Sequence, residues 1–176
     1  MNKNKNQSFV FWITGLSGSG KTTIAKKIHK FISTNYGPTV CIHGDTIRKI
    51  FKIKSYERKD RLTTGKKYID LINLLINQKI NVIISVVGLF HELQSINRKK
   101  FDNYIEIFIK SDLKILSKKK IRKFYIKKIK NVWRVDLKNE FTKKHDIIIS
   151  NNFKRNINDI AKEVKLKKKN KINEKK

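Results

Sequence analysis

Residues 15–22, Gly-Leu-Ser-Gly-Ser-Gly-Lys-Thr, match the pattern G-x-x-x-x-G-K-[ST] at every fixed position. The preceding residues 9–14 form a short run rich in aromatic and β-branched side chains, which predicts a buried strand. Residues 21–34 place apolar side chains at helical spacing and predict a helix. The glycine-rich segment therefore joins a predicted strand to a predicted helix, which is the context that a phosphate-binding loop requires.

The residue types of this segment suit the phosphates of a nucleotide. Glycines let the backbone wrap closely around phosphate oxygens, and successive amide groups then point inward as an anion-binding nest. The following helix adds the positive end of its dipole. Lys21 can reach the β- and γ-phosphates, and the Thr22 hydroxyl can hold Mg²⁺. We predict that a nucleoside triphosphate and Mg²⁺ bind here, through Gly15, Leu16, Ser17, Gly18, Ser19, Gly20, Lys21, Thr22 and Thr23, with Thr22 as the metal ligand.

The rest of the chain alternates predicted strands with predicted helices. Short apolar runs predict further buried strands at residues 39–42, 81–87, 104–109 and 146–150. Apolar residues that share one face predict helices at residues 62–76 and around residues 157–164. Strands that alternate with helices imply a parallel sheet covered on both faces. The predicted fold class is α/β, a three-layer α/β/α sandwich of the P-loop NTPase type with a five-stranded parallel sheet.

The chain has 176 residues, enough for one domain of ordinary size. We divide it into a flexible N-terminus at residues 1–8, one domain at residues 9–165 and a basic disordered tail at residues 166–176. The tail is predicted because its residues are mostly lysine and carry few apolar side chains. A single cysteine, Cys41, rules out an internal disulfide, and no apolar run approaches the roughly 18 residues of a membrane helix. We therefore expect a cytoplasmic protein without a membrane segment.

Lysine and arginine total 43 against 14 acidic residues, which gives a formal net charge of +29. Such an excess favours anionic partners. The excess is spread along the chain, and neither an RNP1 segment nor paired Cys/His fingers accompany it. We therefore do not expect nucleic acid to be the partner.

Four segments resemble the adenylyl-sulfate (APS) kinase family. Residues 12–25 resemble the start of these enzymes, and residues 43–48, His-Gly-Asp-Thr-Ile-Arg, resemble their Asp-Gly-Asp-Asn-x-Arg segment. Residues 56–61 resemble a Phe-Ser-x-x-Asp-Arg segment, and residues 129–136 resemble Ile-Lys-Asn-Phe-Thr-Gly-Ile-Asp. The family transfers the γ-phosphate of ATP to the 3′-hydroxyl of adenosine 5′-phosphosulfate. The resemblance implies the same class of reaction, the strand order 2-3-1-4-5 and, as in similar kinases, a homodimer.

The resemblance implies roles for individual residues. Lys21 and Asp45 are implied to be catalytic, with Asp45 orienting or deprotonating the acceptor hydroxyl. The alternative for Asp45 is a loop residue that caps the next helix. Guanidinium groups suit phosphate and sulfate, so Arg48 and Arg61 are implied to hold the anionic 5′ group of a small nucleotide acceptor. The implied substrate-binding set is Arg48, Tyr56, Arg61, Gly88, Leu89, Lys130, Asn131 and Val132.

The chain departs from the family pattern at the acceptor positions. His43 replaces the first Asp of its segment, and Thr64 replaces an Asn. Residues 87–89, Val-Gly-Leu, stand for Ile-Ser-Pro, so a covalent phosphoserine at the family's serine position is excluded. Val132 replaces an aromatic residue that clamps the acceptor base, and Trp133 is a candidate to compensate for it. From the resemblance we therefore expect the acceptor to be APS or a different activated nucleotide, such as cytidine diphosphoramidate in capsule phosphoramidate synthesis.

Residues 113–130 hold nine basic residues and no acidic one, and they fall where P-loop kinases carry a mobile lid. Charge that spreads over the phosphoryl oxygens needs cations delivered when such a lid closes. The candidate cations are Lys118, Lys119, Lys120, Arg122 and Lys123. Two alternatives stay open: a nucleoside monophosphate kinase, whose acceptor is a 5′-phosphate, and a nucleic-acid-binding P-loop protein.

Overall fold

A computed structural model of the chain describes residues 8–55, 57–118, 140 and 144–173. In chain order the elements are β1 (Val10–Gly15), α1 (Lys21–Tyr36), β2 (Thr39–His43), α2 (Gly44–Ile50), α3 (Arg58–Asn77), β3 (Asn81–Ser85), α4 (His91–Lys100), β4 (Tyr104–Lys110), α5 (Leu113–Lys118), β5 (Ile147–Ser150) and α6 (Ile157–Asn173). Predictions on the N-terminus before Ser8, on Tyr56, on residues 119–139 and on residues 174–176 of the tail lie outside the described residues.

The five strands form one parallel sheet in the order β2-β3-β1-β4-β5. β1 is central: Trp12 lies beside Ile84 of β3 on one side and beside Glu106 of β4 on the other. Parallel neighbours need long crossover connections, and here helices make them and cover both faces of the sheet. The predicted three-layer α/β sandwich, its five parallel strands and the strand order are confirmed. The carboxyl ends of all five strands therefore meet at one edge.

Two hydrophobic clusters fill the spaces between the sheet and the helices. On one face, Trp12 packs with Ile72 of α3 and Leu93 of α4. On the other face, Phe11 packs with Ile28 of α1, and α6 lies beside α1 in the same layer. Successive residues of β1 alternate between the two clusters, because side chains of a strand point to opposite faces. Burial on both faces explains why residues 10–13 of β1 are all apolar.

Glu106 of β4 is fully buried beneath α4, and side chains of that helix satisfy its carboxylate. Arg98 donates to Oε2 at 3.2 Å, and Gln94 donates to Oε1 at 3.1 Å. Arg98 also reaches the carboxylate of Asp146, which accepts a 2.7 Å hydrogen bond from the backbone amide of Glu106. A buried carboxylate is costly unless it is paired and hydrogen-bonded. This network therefore fixes the C-terminal half of α4 against β4.

Several boundaries differ from those predicted. α3 begins at Arg58 rather than at residue 62, because its first turn is polar and adds nothing to the apolar pattern. β3 ends at Ser85 rather than at residue 87. α6 continues to Asn173, so residues 166–173 of the predicted tail are helical. The division of the chain at residue 165 stays a prediction. Lysine favours helix, and the packing of α6 against α1 lets a started helix propagate.

Cys41 of β2 is half-buried, and burial raises the pKa of its thiol to about 11, although Lys26 acts in the opposite direction. The thiol is therefore protonated and unreactive at neutral pH. Within the residues that the structure describes, none of the helices is both long and apolar enough to cross a membrane.

Ile72→Ala should lower the free energy of unfolding by about 2–5 kcal/mol, because Ile72 is fully buried and its truncation leaves a cavity. Leu74→Ala is the matched control on the same helix. The Leu74 side chain is 57% exposed, so its truncation should change the free energy by no more than about 0.5 kcal/mol. Urea denaturation followed by circular dichroism measures both values. Equal losses in the two variants would contradict the described packing of α3.

Candidate active site

The loop between β1 and α1 packs so closely against neighbouring strands that two of its residues have to be glycine. Gly15 has a φ of +145°, and a Cβ there would lie 2.5 Å from the carbonyl oxygen of Ile109 on β4. Gly20 has a φ of +94°, and a Cβ there would lie 2.8 Å from Nδ2 of Asn151, the residue after β5. Residues with a side chain rarely adopt these φ values, and neither contact leaves room for a Cβ atom. β4 and β5 therefore help to shape the loop.

Lys21 places a buried cation inside this loop. The residue is only 8% exposed, and its Nζ donates to the backbone carbonyl oxygen of Leu16 at 2.6 Å. α1 begins at Lys21, and in this fully described stretch its first turn carries no acidic residue and no side chain caps its N-terminus. The ammonium group and the positive end of the helix dipole thus meet at the loop, an arrangement that suits a polyphosphate.

Of the remaining predicted loop residues, Ser17 and Gly18 are half-buried, and the other four divide into two groups. The side chains of Leu16 and Ser19 are buried, so they can meet a ligand only through their backbone groups. Thr22 and Thr23, in the first turn of α1, are exposed, and their hydroxyls are open to a phosphate or a metal ion. The exposure of Thr22 is therefore compatible with its predicted role as the metal ligand.

Asn151 supports the loop from the far edge of the sheet, and it was not among the predicted site residues. Its side chain is buried, and Nδ2 donates to the backbone carbonyl oxygen of Ser19 at 2.9 Å. Its Oδ1 accepts from the backbone amide of Phe153 at 3.0 Å, and its backbone carbonyl oxygen accepts from Ser111 Oγ at 2.9 Å. The available signal was its position: a polar residue directly after the last strand, at the edge where α/β sheets bind ligands.

Asp45 and His43 lie at the carboxyl end of β2. His43 ends the strand and occupies the N-cap position of α2, so Asp45, in the first turn, does not take the alternative role of the capping residue. A 2.9 Å hydrogen bond joins His43 Nδ1 to Oγ of Ser85, the last residue of β3. Burial and the charge of Lys26 lower the pKa of His43 below 6.5, while the Asp45 carboxylate acts in the opposite direction. His43 is therefore neutral at pH 7.

Arg48 lies on α2, on the same side of the sheet as Asp45, and contacts the loop that leads to α3. Its guanidinium group donates to the backbone carbonyl oxygens of Ile53 at 2.9 Å and Ser55 at 2.6 Å. Arg61, the second arginine predicted to hold the acceptor, lies half-buried in the first turns of α3. Arg48 thus has a structural function that the sequence did not indicate, because its partners are backbone atoms.

Gly88 follows β3 and packs against the indole of Trp12. A Cβ at position 88 would lie 3.0 Å from Cζ2 and 3.2 Å from Nε1 of that indole. The side chain of the next residue, Leu89, is fully buried in the core, so any contact of Leu89 with a substrate is limited to its backbone. The other predicted acceptor contacts, Tyr56, Lys130, Asn131 and Val132, lie outside the described residues, as do the lid candidates other than Lys118.

A glycine-rich loop around a buried lysine, set in a parallel sheet of order β2-β3-β1-β4-β5, defines the P-loop kinase class. The sequence profile of the adenylylsulphate kinase family matches residues 7–150. The chain belongs to the adenylylsulphate kinase family. It is therefore a phosphotransferase whose acceptor is a hydroxyl group.

Two relatives and one solved structure are similar to this chain. The cytidine diphosphoramidate kinase of Campylobacter jejuni is 32% identical over 160 residues, which cover 88% of this chain and 93% of the relative. The adenylyl-sulfate kinase of Buchnera aphidicola is 31% identical over 132 residues, which cover 71% of this chain but 61% of that protein. The structure of the Mycobacterium tuberculosis APS kinase with AMPPNP and APS superposes with a TM-score of 0.81 at 21% identity, covering 93% of this chain and 98% of that one.

Asn151→Ala should destabilise the protein by about 1–3 kcal/mol, because it leaves the buried carbonyl of Ser19 without its donor. It should also weaken ADP binding, since the loop loses its support from β5. Asn152→Ala is the matched control: Asn152 is exposed, and among the described residues its side chain accepts a hydrogen bond from the amide of Lys154. Calorimetric titration with ADP and thermal denaturation measure both effects. Unchanged ADP affinity in Asn151→Ala would refute the supporting role.

The folded protein should lose stability as the pH falls below 6.5. Because the pKa of His43 is lowered in the folded state, the unfolded chain binds more protons between that pKa and 6.5. His43→Gln should abolish this part of the loss, whereas Ser85→Ala, which keeps His43 and its burial, should retain it. Denaturation curves measured between pH 5 and 8 test this. Parallel pH profiles of the wild type and His43→Gln would contradict it.

Proposed function

We propose that this chain transfers the γ-phosphate of ATP to the 3′-hydroxyl of a 5′-activated nucleotide, and that cytidine diphosphoramidate is its acceptor. The observation that carries the acceptor is the extent of similarity to the Campylobacter jejuni cytidine diphosphoramidate kinase, which runs over nearly the whole of both chains. The match to the Buchnera adenylyl-sulfate kinase covers a smaller part of each protein. APS is the second candidate, supported by the family as a whole.

The loop supports ATP as the phosphate donor. We assign its backbone amides and the buried ammonium of Lys21 to the β- and γ-phosphates. The exposed hydroxyl of Thr22 is the group that we assign to Mg²⁺. When bound, Mg²⁺ supplies positive charge that neutralises the phosphate oxygens. The uncapped start of α1 adds a fixed dipole on the same side.

Asp45 is the residue that we assign to the acceptor hydroxyl. It lies at the carboxyl edge of the sheet, just after β2. β3 separates β2 from β1, the strand that leads into the phosphate loop. In the proposed reaction the 3′-oxygen bonds to the γ-phosphorus, the bond from that phosphorus to the β–γ bridging oxygen breaks, and ADP leaves. Asp45 accepts the hydroxyl proton, and Lys21 stabilises the charge on the transferred group.

The acceptor side is assigned to the elements that follow β2 and β3. We assign Arg61 to the anionic 5′ group of the nucleotide. Arg48 fixes the carbonyls of Ile53 and Ser55, and its guanidinium has five donors, so it can hold this loop and also reach an anion. Gly88 lacks the hydroxyl of the family's serine and packs on Trp12, which supports an acceptor that differs from APS.

A homodimer, a cytoplasmic location and the division of the chain at residues 8 and 165 remain predictions.

The test is a panel of acceptors under identical conditions: cytidine diphosphoramidate, APS, CMP, AMP and no acceptor. ADP release should be fastest with cytidine diphosphoramidate, and ³¹P NMR should locate the new phosphate on the ribose 3′-oxygen. Lys21→Ala should lower turnover by about 10²–10³-fold, because a preorganised cation at the transferred group is lost. Asp45→Asn should lower turnover by about 10²–10⁴-fold while leaving ADP affinity unchanged.

Each other outcome has a definite meaning. Preferred turnover of APS would refute the cytidine diphosphoramidate assignment but keep the 3′-kinase. Phosphorylation of CMP or AMP on the 5′-phosphate would identify a nucleoside monophosphate kinase instead. Turnover with none of the acceptors, in a protein that binds ADP, would refute the proposed function while leaving the nucleotide site intact.

A further inference from the structure

Glu140 bridges the first residues of two helices on the acceptor side. Its Oε1 lies 2.6 Å from a guanidinium nitrogen of Arg58, the first residue of α3. Its Oε2 accepts a 3.0 Å hydrogen bond from the backbone amide of His91, the first residue of α4. One carboxylate thus satisfies an orphan amide of α4 and, at the same time, pairs with the start of α3.

Arg58 makes a second contact across the same junction. Its guanidinium carbon lies 5.4 Å from the centroid of the Phe90 ring, and Phe90 is buried at the N-cap of α4. The ring face attracts the cation, so Arg58 is held from two sides. Although burial opposes the charged form, hydrogen bonds from Arg58 and from the His91 amide lower the pKa of Glu140. The carboxylate is therefore charged at neutral pH.

The two helix starts that Glu140 joins carry proposed acceptor contacts. Arg61 lies one helical turn after Arg58 on α3. Gly88 and Leu89 lead directly into the start of α4. The other end of α4 is already fixed, since Arg98 is bound to buried Glu106 on β4. Lys66 of α3 also pairs with Glu92 of α4 at 2.7 Å, and Leu93 packs on Gly65. Glu140 adds to these contacts a link between the first residues of the two helices.

We propose that Glu140 is a positioning residue that holds the starts of α3 and α4 at a fixed separation and thereby sets the affinity for the acceptor. This inference rests on the proposed function, because it uses the acceptor side assigned there. Glu140 itself does not enter the reaction. The phosphate loop is held by β4, β5 and Asn151, none of which contacts Glu140 in the described structure, so ATP binding should not depend on it.

The test is Glu140→Gln, which keeps an oxygen for the His91 amide and removes the charge that pairs with Arg58. The acceptor KM should rise about 5- to 20-fold, since a charge-assisted contact of this geometry is lost. kcat and the ATP KM should change less than about twofold. Glu163→Gln is the matched control, because Glu163 of α6 forms a 2.9 Å ion pair with Arg155. The side chains of this pair are about as exposed as those of Arg58 and Glu140. That variant should match the wild type in all three constants.

A second measurement does not depend on the acceptor. Hydrogen–deuterium exchange with ADP bound should be faster in Glu140→Gln at residues 57–61 and 87–93, and unchanged in Glu163→Gln. Arg58→Gln should produce the same acceptor KM, and the double variant should add nothing further. An unchanged acceptor KM, or a rise in the ATP KM of equal size, would overturn the inference. Failure of the wild type with every acceptor would refute the proposed function, and unchanged exchange at both helix starts would still overturn the inference by itself.

Discussion

The contact of the phosphate loop with β4 and β5 is the constraint on which the active site depends. Gly15 lies in register with Ile109, whose carbonyl oxygen leaves no room for a side chain at position 15. Asn151, just beyond β5, donates to the carbonyl oxygen of Ser19. These contacts join residues that are far apart in the chain, so the loop takes its shape only when β4 and β5 have paired beside β1. The sheet and the nucleotide site therefore form together.

The nucleotide half of the site could be predicted from the sequence because its signal is local. The pattern around Lys21 needs a strand before it and a helix after it, and residues 9–34 carry both periodicities. Asn151 could not be found in the same way, since its hydrogen bond spans most of the chain and any polar residue after β5 gives the same pattern. Such long-range contacts are common in parallel sheets, because a long crossover connection separates each pair of neighbouring strands in the chain.

The errors at the helix ends have a common physical cause. The first turn of α3, from Arg58, is polar, so the apolar pattern in the sequence begins only one turn later. A residue distant in the chain, Glu140, pairs with this first turn, and that contact leaves no local signal in the sequence. In α6 the lysines after residue 165 suggest a solvated end, yet the helix is already started by the apolar face that packs on α1. Extending an existing helix by a lysine residue costs little free energy. Composition alone therefore placed the end of α6 too early.

The two halves of the site differ in what holds them, and this difference explains where the chain departs from its family. The phosphate loop depends on close contacts of Gly15 with the backbone carbonyl oxygen of Ile109 and of Gly20 with the side chain of Asn151, at φ values that favour glycine. The proposed acceptor side holds side-chain pairs, such as His43 with Ser85, that can be exchanged one at a time at modest cost. In this chain the departures from the family pattern lie at proposed acceptor positions, while the loop motif is intact. The same phosphate loop can thus be combined with sites for acceptors of different chemistry, because the proposed acceptor-binding residues are not the residues that hold the loop.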